Sequence, residues 1–421
     1  MHTTCWLPCV ALLLLPQAVQ DRRDLPALLT GITQRTFDAG DASRLDVALF
    51  LGRDPLMSLA LGGETSGTRV ASLDAASHAL FAGVAMQFAA RGELDLEEAV
   101  GQLLPELGPA VGSVTVHELL THTAGLHDWQ EFTAGDPAER LKKIGAAGTW
   151  SEPGTCLRDS SGDTFALGML LARLGKGPVM ERVEQGLFDA AGATDVADCR
   201  EGTSPPGLAG ALGERELCGS TADLAALMRA WAARKLCSDA AWAAMTTGDI
   251  LPDGSRTRFG HGFDLARLAE RERIAFGGEG GGARISTAYY PAFDLTVVVL
   301  AAGARTGKKF DAEALERDLA RAVFAIDEPR IRDLPLDAAE AVRYTGEYLI
   351  GCDRTQIEFR DRRLVLRLLR REELILLHQG EELFVAEQDH DLSVRFEAGD
   401  TRAPSFVLSE RGFEVRGKRI D

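Results

Sequence analysis

The hydrophobic and polar positions predict strands near both ends of the first 330 residues and helices between them. Short apolar runs predict strands at 45–51, 56–61, 262–265, 274–276, 283–290 and 295–302. The intervening chain is rich in leucine and alanine, and its segment 72–90 is apolar nearly all round, which is typical of a buried helix. Further helices are predicted at 26–36 and 311–326. This order predicts an α+β domain whose sheet is completed by both ends of the segment.

The pattern changes beyond residue 330. Seven short strand-like runs follow one another with polar turns between them, at 357–359, 364–366, 374–377, 383–386, 392–396, 406–408 and 413–415. Runs at such near-regular spacing are typical of a small all-β sandwich or barrel. We therefore predict two domains, at 21–330 and 337–421.

Charge and composition narrow the possible functions. The 421 residues carry a formal charge of −17, which argues against nucleic acid or an anionic membrane surface as the main partner. Only seven residues are lysine and four are tyrosine; the first of each are Lys142 and Tyr289. A mechanism that needs a lysine or tyrosine base within the first 140 residues is therefore excluded.

The first 20 residues resemble a secretory signal, with a short apolar stretch before a small-residue region, although no lysine or arginine precedes that stretch. An apolar N-terminus of a cytosolic protein is the alternative. No later segment is long and apolar enough for a transmembrane helix. We expect an exported protein, periplasmic or extracellular after cleavage.

Five cysteines remain after the predicted signal, and no two form a CxxC pair, which excludes a zinc ribbon or a thioredoxin-type motif. They are Cys156, Cys199, Cys218, Cys237 and Cys352. An exported protein could form one or two disulfides from these, and we favour Cys199, Cys218 and Cys237 as participants. The connectivity stays open.

Three segments at 92–126 resemble a known family. They are Gly92–Val100, Leu104–Glu106 and Val114–Leu126, the last ending in Leu-Leu-Thr-His-Thr-Ala-Gly-Leu. These three segments are similar to the corresponding sequences of the serine β-lactamase-like family, in its class C, D,D-peptidase and esterase branch. The resemblance extends over about 26–326 and implies an antiparallel sheet flanked by helices plus an all-helical subdomain. The later Tyr344-Thr345-Gly346-Glu347-Tyr348 resembles the start of a β-barrel domain appended to such hydrolases.

Catalysis in this family uses the motifs SxxK, YxN and KTG or HxG. By resemblance, Ser72 occupies the nucleophile position and Ala75 the lysine position. Asp159 and Ser161 stand in place of the tyrosine and asparagine of YxN. Phe276-Gly277-Gly278, or Glu279-Gly280-Gly281 three residues on, stands in place of HxG. No SxxK or YxN occurs elsewhere in the chain, so the nucleophile keeps none of its usual partners.

Two hypotheses follow for this cleft, which Ala75, Ser161, Phe276, Gly278 and Glu279 are expected to line. The first is a pseudoenzyme that binds a small molecule, peptide or protein there, with Ser72 serving as a helix N-cap. The second is an active serine hydrolase of esterase, amidase or D,D-peptidase type with a rewired base. Asp74 and Asp159 are the carboxylates considered for that base, although an aspartate near pKa 4 is a poor base for a hydroxyl.

Two further motifs resemble a zinc site and a nucleotide-binding loop, but their sequences do not fit either one. His117 and His122 resemble HExxH but lie five residues apart, about 140° round a helix, and so cannot share a zinc ion. The glycine run at 277–282 leads into a strand without a GKS or GKT sequence, which indicates close backbone approach beside a cleft instead of a nucleotide loop. We expect no metal and no cofactor.

Overall fold

The computed structural model describes residues 24–63, 70–132, 135–199, 207–303, 309–327, 330–368, 373–399 and 401–421. The predicted signal at 1–20 lies outside these ranges. In this described part, no helix is long and apolar enough to cross a membrane.

A six-stranded antiparallel sheet forms the centre of the larger domain, in the order β2-β1-β9-β8-β7-β6. Its strands are β1 (Arg44–Leu51), β2 (Asp54–Gly62), β6 (Asp264–Leu268), β7 (Arg271–Gly280), β8 (Ala283–Tyr290) and β9 (Leu295–Ala302). β1 pairs with β9 along its whole length, so strands from both ends of the segment complete the sheet, as the sequence predicts. A second, three-stranded sheet contains β3 (Ala71–Ser72), β5 (Leu217–Gly219) and β4 (Ala197–Asp198), in that order.

Helices cover both faces of the six-stranded sheet. The helices of this domain, including those of the helical subdomain, are α1 (Leu25–Ala39), α2 (Ser77–Ala90), α3 (Val100–Leu103), α4 (Val116–Leu120), α5 (Pro137–Ala147), α6 (Ser161–Gly175), α7 (Val179–Val183), α8 (Leu208–Ala211), α9 (Thr221–Ala232), α10 (Asp239–Met245) and α11 (Ala312–Phe324). Side chains of β9 alternate between the faces: Val297 and Val299 pack with α1 and α11, while Val298 and Leu300 pack with the helical subdomain. The apolar strand at 295–302 is buried on both faces for this reason.

The C-terminal region is a closed barrel of eight antiparallel strands, preceded by α12 (Ala338–Ala341). Its strands are β10 (Gly346–Ile350), β11 (Asp353–Arg360), β12 (Arg363–Arg367), β13 (Leu374–Gly380), β14 (Leu383–Ala386), β15 (Leu392–Phe396), β16 (Ser405–Glu410) and β17 (Phe413–Arg419). The predicted number of seven strands is therefore wrong, because β10 was missed. Of its five residues only Tyr348 is buried, so its hydrophobic signal is weak. β10 pairs with both β11 and β17 and thereby closes the barrel.

Two disulfides are present. Cys199–Cys218 joins β5 to the residue after β4, and Cys156–Cys352 joins the larger domain to the barrel. Cys237 is free, so its expected participation in a disulfide is wrong. Cys352 lies in the barrel at a sequence separation of 196 residues from Cys156, a pairing that no local pattern signals.

Candidate active site

Ser72, the predicted nucleophile position, lies at the end of a strand. It pairs with Cys218 in β5, and a short 3₁₀ turn, Asp74–Ala76, separates it from helix α2, which begins at Ser77. The predictions that the helix starts at Ser72 and that Ser72 is its N-cap are therefore wrong. Pairing with β5 holds Ser72 in extended backbone, and its Oγ instead accepts the Asp74 amide at 3.1 Å.

The Ser72 hydroxyl donates a hydrogen bond to Oε1 of Glu216, the residue just before β5. Ser72 is only 2% exposed, so this bond is shielded from water. Burial raises the pKa of Glu216, and the nearby Asp74 carboxylate raises it further, although the bond from Ser72 opposes both effects. The group beside the serine is thus a carboxyl whose charged form is disfavoured.

Asp74 belongs to the same cluster. Burial raises its pKa, although the Leu208 amide donates to its Oδ1 at 2.7 Å and the Gly281 amide also favours the charged form. Asp74 and Glu216 are therefore two neighbouring carboxyls near Ser72, both with raised pKa values.

The turn between β7 and β8 covers this cluster. Gly280 pairs with Ala283 across a two-residue turn, and both turn residues have positive φ, +55° at Gly281 and +72° at Gly282, as a type I′ hairpin requires. A Cβ at Gly281 would collide with the Ser72 hydroxyl, and one at Gly280 would lie 2.5 Å from Oδ2 of Asp74. The predicted close backbone approach of the glycine run is confirmed.

Among the described residues, no lysine, tyrosine or histidine hydrogen-bonds to the Ser72 hydroxyl; its partners are Glu216 and the Asp74 amide. The arrangement holds the Ser72 hydroxyl against the Glu216 carboxyl and beneath a glycine turn. A family model described as Beta-lactamase matches residues 75–322, more than half of the chain. The chain belongs to the beta-lactamase family.

Solved structures of similar fold include hydrolases and penicillin-binding proteins. The octameric penicillin-binding protein homologue from Pyrococcus abyssi is 15% identical, with a TM-score of 0.62, and the match covers 94% of this chain and 100% of that one. A D-amino acid amidase from Ochrobactrum anthropi SV3 is also 15% identical, with a TM-score of 0.59 over 71% of this chain and 98% of that one. At such identities the likeness shows the fold alone.

A curated relative, Esterase EstB from Burkholderia gladioli, is 48% identical over 61 residues. These residues are 13% of this chain and 16% of the esterase, so the match spans a small part of either protein. The family assignment rests on the longer match over 75–322, which begins three residues after Ser72.

Side chains at the other family positions pack or form ion pairs. Phe276, predicted from the resemblance to stand at the HxG position, is 4% exposed, and its ring lies 5.7 Å from that of Trp231 in α9. The Ala75 carbonyl oxygen would lie 3.4 Å from a Cβ at Gly278, so these two backbones run side by side. Glu279 forms ion pairs with Lys309 at 2.6 Å and with Arg284 at 3.4 Å. β7 thus lies directly along the turn that follows Ser72.

Asp159 and Ser161 contact groups outside the Ser72 cluster. The Asp159 carboxylate is 82% exposed and lies 3.4 Å from Nε2 of His122. The Ser161 hydroxyl donates to Oδ1 of Asp128 at 3.1 Å. The carboxylate that contacts Ser72 is instead Glu216, which the sequence reasoning missed. Glu216 belongs to no motif, and only the pairing of β3 with β5 brings it to the serine.

His122 lies in a buried cluster behind the loop of Asp159. Its ring stacks on that of His78 with centroids 3.9 Å apart, and its Nδ1 lies 3.2 Å from Oδ2 of Asp163. Burial alone would lower the His122 pKa, but the charges of Asp159 and Asp163 raise it above its usual value. His117 has different partners, since it contacts Asp249 at 2.8 Å and His261 at 2.9 Å.

The buried cluster of His122, His78 and Asp163 makes the free energy of unfolding depend on pH. Burial raises the pKa of Asp163 to about 6. In the unfolded chain its pKa is about 3.9, so between these values the folded state binds more protons and its stability falls as pH rises. The expected loss from pH 4 to pH 6 is about 2 kcal/mol, and Asp163→Asn should abolish it.

The measurement is urea unfolding of the parent and Asp163→Asn at pH 4, 5 and 6. The difference between the two unfolding free energies should change steadily across this range, whereas a constant difference would contradict the prediction. His78 adds an opposite slope, because burial lowers its pKa well below the usual value. Taking the difference between parent and variant reduces that contribution, since both contain His78.

Proposed function

We propose that this beta-lactamase-family chain is an exported pseudoenzyme that binds a small molecule, peptide or protein. The observation that carries the proposal is the state of Ser72: its hydroxyl is buried, bonded to Glu216 and covered by the backbone of Gly281. An acylating serine needs a base and needs room beside its oxygen for the acyl group. The site offers neither a lysine nor that room.

The missing proton-transfer groups support a large loss of catalytic rate. Proton transfer by a positioned side chain raises the rate of such reactions by about 10² to 10⁴-fold. The lysine and tyrosine that supply it in the family are replaced by Ala75 and Asp159. Phe276 stands at the third motif, where its ring packs into the core beside Trp231. All three motifs have therefore lost their polar groups or moved them away from the serine.

Export is supported by the two disulfides, because such bonds form and persist in oxidising compartments. It is also consistent with the apolar segment at 1–20.

A second candidate is an active serine hydrolase of esterase, amidase or D,D-peptidase type. The observation that favours it is the hydrogen bond from Ser72 to Glu216, whose pKa is raised toward the range in which a general base works. Glu216 would then replace Asp159 as the rewired base. This candidate also requires that the turn at Gly281 move away from the serine.

The test is covalent labelling of the intact protein by a fluorescent penicillin and by a fluorophosphonate, read by intact mass. We expect no adduct above the level found in Ser72→Ala, and no Ser72-dependent hydrolysis of nitrocefin or p-nitrophenyl esters between pH 5 and 8. An adduct that maps to Ser72 and forms within minutes would overturn the pseudoenzyme proposal.

Glu216→Gln distinguishes the two candidates if any activity is found. Activity through a Glu216 base should fall by about 10² to 10⁴-fold in this variant. Asp159→Asn is the matched control, because it removes an exposed carboxylate whose ion-pair partner is His122 and not Ser72. Equal loss in both variants would exclude Glu216 as a specific base.

A further inference from the structure

Four of the chain's eight histidines lie in one row through the helical subdomain. At one end, Nδ1 of His117 in α4 lies 2.9 Å from Nε2 of His261, in the loop before β6. At the other end, His78 of α2 stacks on His122 with ring centroids 3.9 Å apart. The Leu120 carbonyl oxygen joins the two pairs, because it accepts from Nε2 of His78 at 3.0 Å and from the amide that follows His261 at 3.2 Å. We call these four side chains the histidine row.

Carboxylates hold both ends of the histidine row. Asp249 lies 2.8 Å from Nε2 of His117, and this hydrogen bond raises the pKa of His117. Asp163 and Asp159 lie 3.2 Å and 3.4 Å from the two ring nitrogens of His122. Burial lowers the pKa of His122, but these two charges outweigh it and raise the pKa above its usual value. The charged form is therefore favoured at both ends; the acidic groups that act there are Glu97, Glu118, Asp128, Asp159, Asp163 and Asp249.

The two inner histidines are held in the neutral form. A charged His117 donates from Nδ1 to Nε2 of His261, and only a neutral His261 can accept this bond. Burial and the charge of His117 lower the pKa of His261 to about 4. Burial and the charge of the stacked His122 lower the pKa of His78 well below its usual value. A proton added to either inner histidine therefore lies against a cation that is already present.

His122 also holds the loop at 148–160, between α5 and α6. Its φ is +56°, a left-handed conformation that a residue with a Cβ keeps only where its surroundings hold it. Its carbonyl oxygen accepts the Arg158 amide at 2.8 Å, and the Thr123 carbonyl oxygen accepts the Gly154 amide at 2.9 Å. The same loop contains Cys156, whose disulfide attaches the barrel. The histidine row thus lies directly behind the segment that connects the two domains.

We propose that the histidine row is an acid-sensitive latch, which holds the loop at 148–160 closed near neutral pH and releases it when the inner histidines take up protons. In the open state His78 and His261 face water, where an ordinary histidine has a pKa of about 6.5. Below that pH the open state binds two more protons at these residues than the closed state, so closure weakens as the pH falls.

Asp163 opposes this effect by one proton. Its pKa is about 6 in the closed state and about 3.9 when exposed, so between these values the closed state binds the additional proton. The two inner histidines outnumber it. Opening therefore takes up a net proton between about pH 6 and pH 4, and the latch weakens by up to about tenfold per pH unit.

Hydrogen exchange of the full-length protein, read by mass spectrometry and corrected for the intrinsic exchange rate at each pH, tests the latch. We expect protection of the loop at 148–160 to fall by at least about tenfold from pH 6.5 to pH 4.5. Protection of the barrel strands β12 and β13 should stay constant, which distinguishes opening of the loop from global unfolding. Unchanged protection of the loop, or an equal fall in the barrel strands, would overturn the proposal.

Variants assign the protons to the histidine row. His261→Gln can still accept from His117 but cannot be protonated, so the fall in loop protection should shrink to less than about threefold. Asp163→Asn removes the opposing proton and should enlarge the fall by about tenfold. His390→Gln, at an exposed histidine outside the row, is the matched control and should behave like the parent.

The two active variants are expected to change the pH dependence in opposite directions, which a merely structural role would not produce. Circular dichroism verifies that each variant is folded; if His261→Gln is not, His78→Gln tests the other inner histidine with the same expected result. A parent-like fall in the folded inner-histidine variant, or a smaller fall in Asp163→Asn, would contradict the latch.

The latch goes beyond the proposed function and does not rest on it. In the described part of the chain, none of the four histidines hydrogen-bonds to the Ser72 hydroxyl, whose partners are Glu216 and the Asp74 amide. Covalent labelling of Ser72 would overturn the pseudoenzyme proposal and leave the latch unaffected. Constant loop protection between pH 6.5 and pH 4.5 would overturn the latch alone.

Discussion

Arg273→Met is expected to lower the free energy of unfolding by about 3 to 5 kcal/mol, because it leaves a buried carboxylate without its cation. The Arg273 side chain in β7 is 2% exposed and lies 2.7 Å from Glu316, whose own side chain is fully buried in α11. Ser286 and Tyr290 also donate to Glu316, the latter at 2.6 Å, but neither supplies a positive charge.

Urea unfolding at constant pH measures this effect. The double variant Arg273→Met/Glu316→Leu should recover most of the loss, since replacing both members of a buried ion pair with apolar groups is often neutral. Glu272→Met, at the exposed neighbouring position of the same strand, is the control and should change stability by less than about 0.5 kcal/mol. A loss below about 1 kcal/mol in Arg273→Met would contradict a buried, paired arginine.

The network around Arg273 also connects the domain to the barrel. Glu313 of α11 lies 3.3 Å from Arg273 and 2.5 Å from Arg411 between β16 and β17. Arg317 of the same helix lies 3.2 Å from Asp389 of the barrel region. We therefore expect Arg273→Met to lower the stability of the contact between barrel and domain together with that of the sheet.

Gly281→Ala is expected to destabilise the protein by about 2 to 4 kcal/mol through two effects. The first is the positive φ of +55°, which a residue with a Cβ adopts at a cost of about 1 to 2 kcal/mol. The second is steric: the new Cβ would collide with the Ser72 hydroxyl and lie 2.7 Å from Oε1 of Glu216. This prediction tests whether the glycine turn covers the serine.

Gly92→Ala provides the matched control, because Gly92 has a φ of +71° and no atom within 4 Å of its built Cβ. It should cost only the backbone contribution of about 1 to 2 kcal/mol. The difference between the two variants in urea unfolding therefore isolates the contact with Ser72. Equal losses would show that the turn does not press on the serine, and would weaken the pseudoenzyme proposal with it.

Much of the fold could be predicted from the sequence because its signals are local. Apolar runs located β8 and β9 at their observed bounds, 283–290 and 295–302. The sequence motifs at 92–126 indicated the family, and the match of the family model over 75–322 establishes it. β10 escaped prediction because one buried side chain, Tyr348, gives too weak an alternation.

Less of the candidate site could be predicted from the sequence. The absence of SxxK and YxN is a fact of sequence, and the family resemblance predicts Ser72 as the nucleophile position. The resemblance predicts Asp159 at the tyrosine position, yet its carboxylate forms an ion pair with His122. Glu216 is 144 residues from Ser72 in the chain, and a contact at such separation leaves no periodic or motif signal.

The sequence by itself determined the family, the α+β order of elements and the absence of SxxK and YxN, since each depends on residue identity or short-range spacing. Only the tertiary structure decided which groups lie beside Ser72. Pairing of β3 with β5 brings Glu216 to Ser72, and the tight turn of β7 and β8 covers that serine with Gly281. The same holds for the Cys156–Cys352 disulfide, whose two cysteines are 196 residues apart in the chain and meet only where the barrel contacts the larger domain.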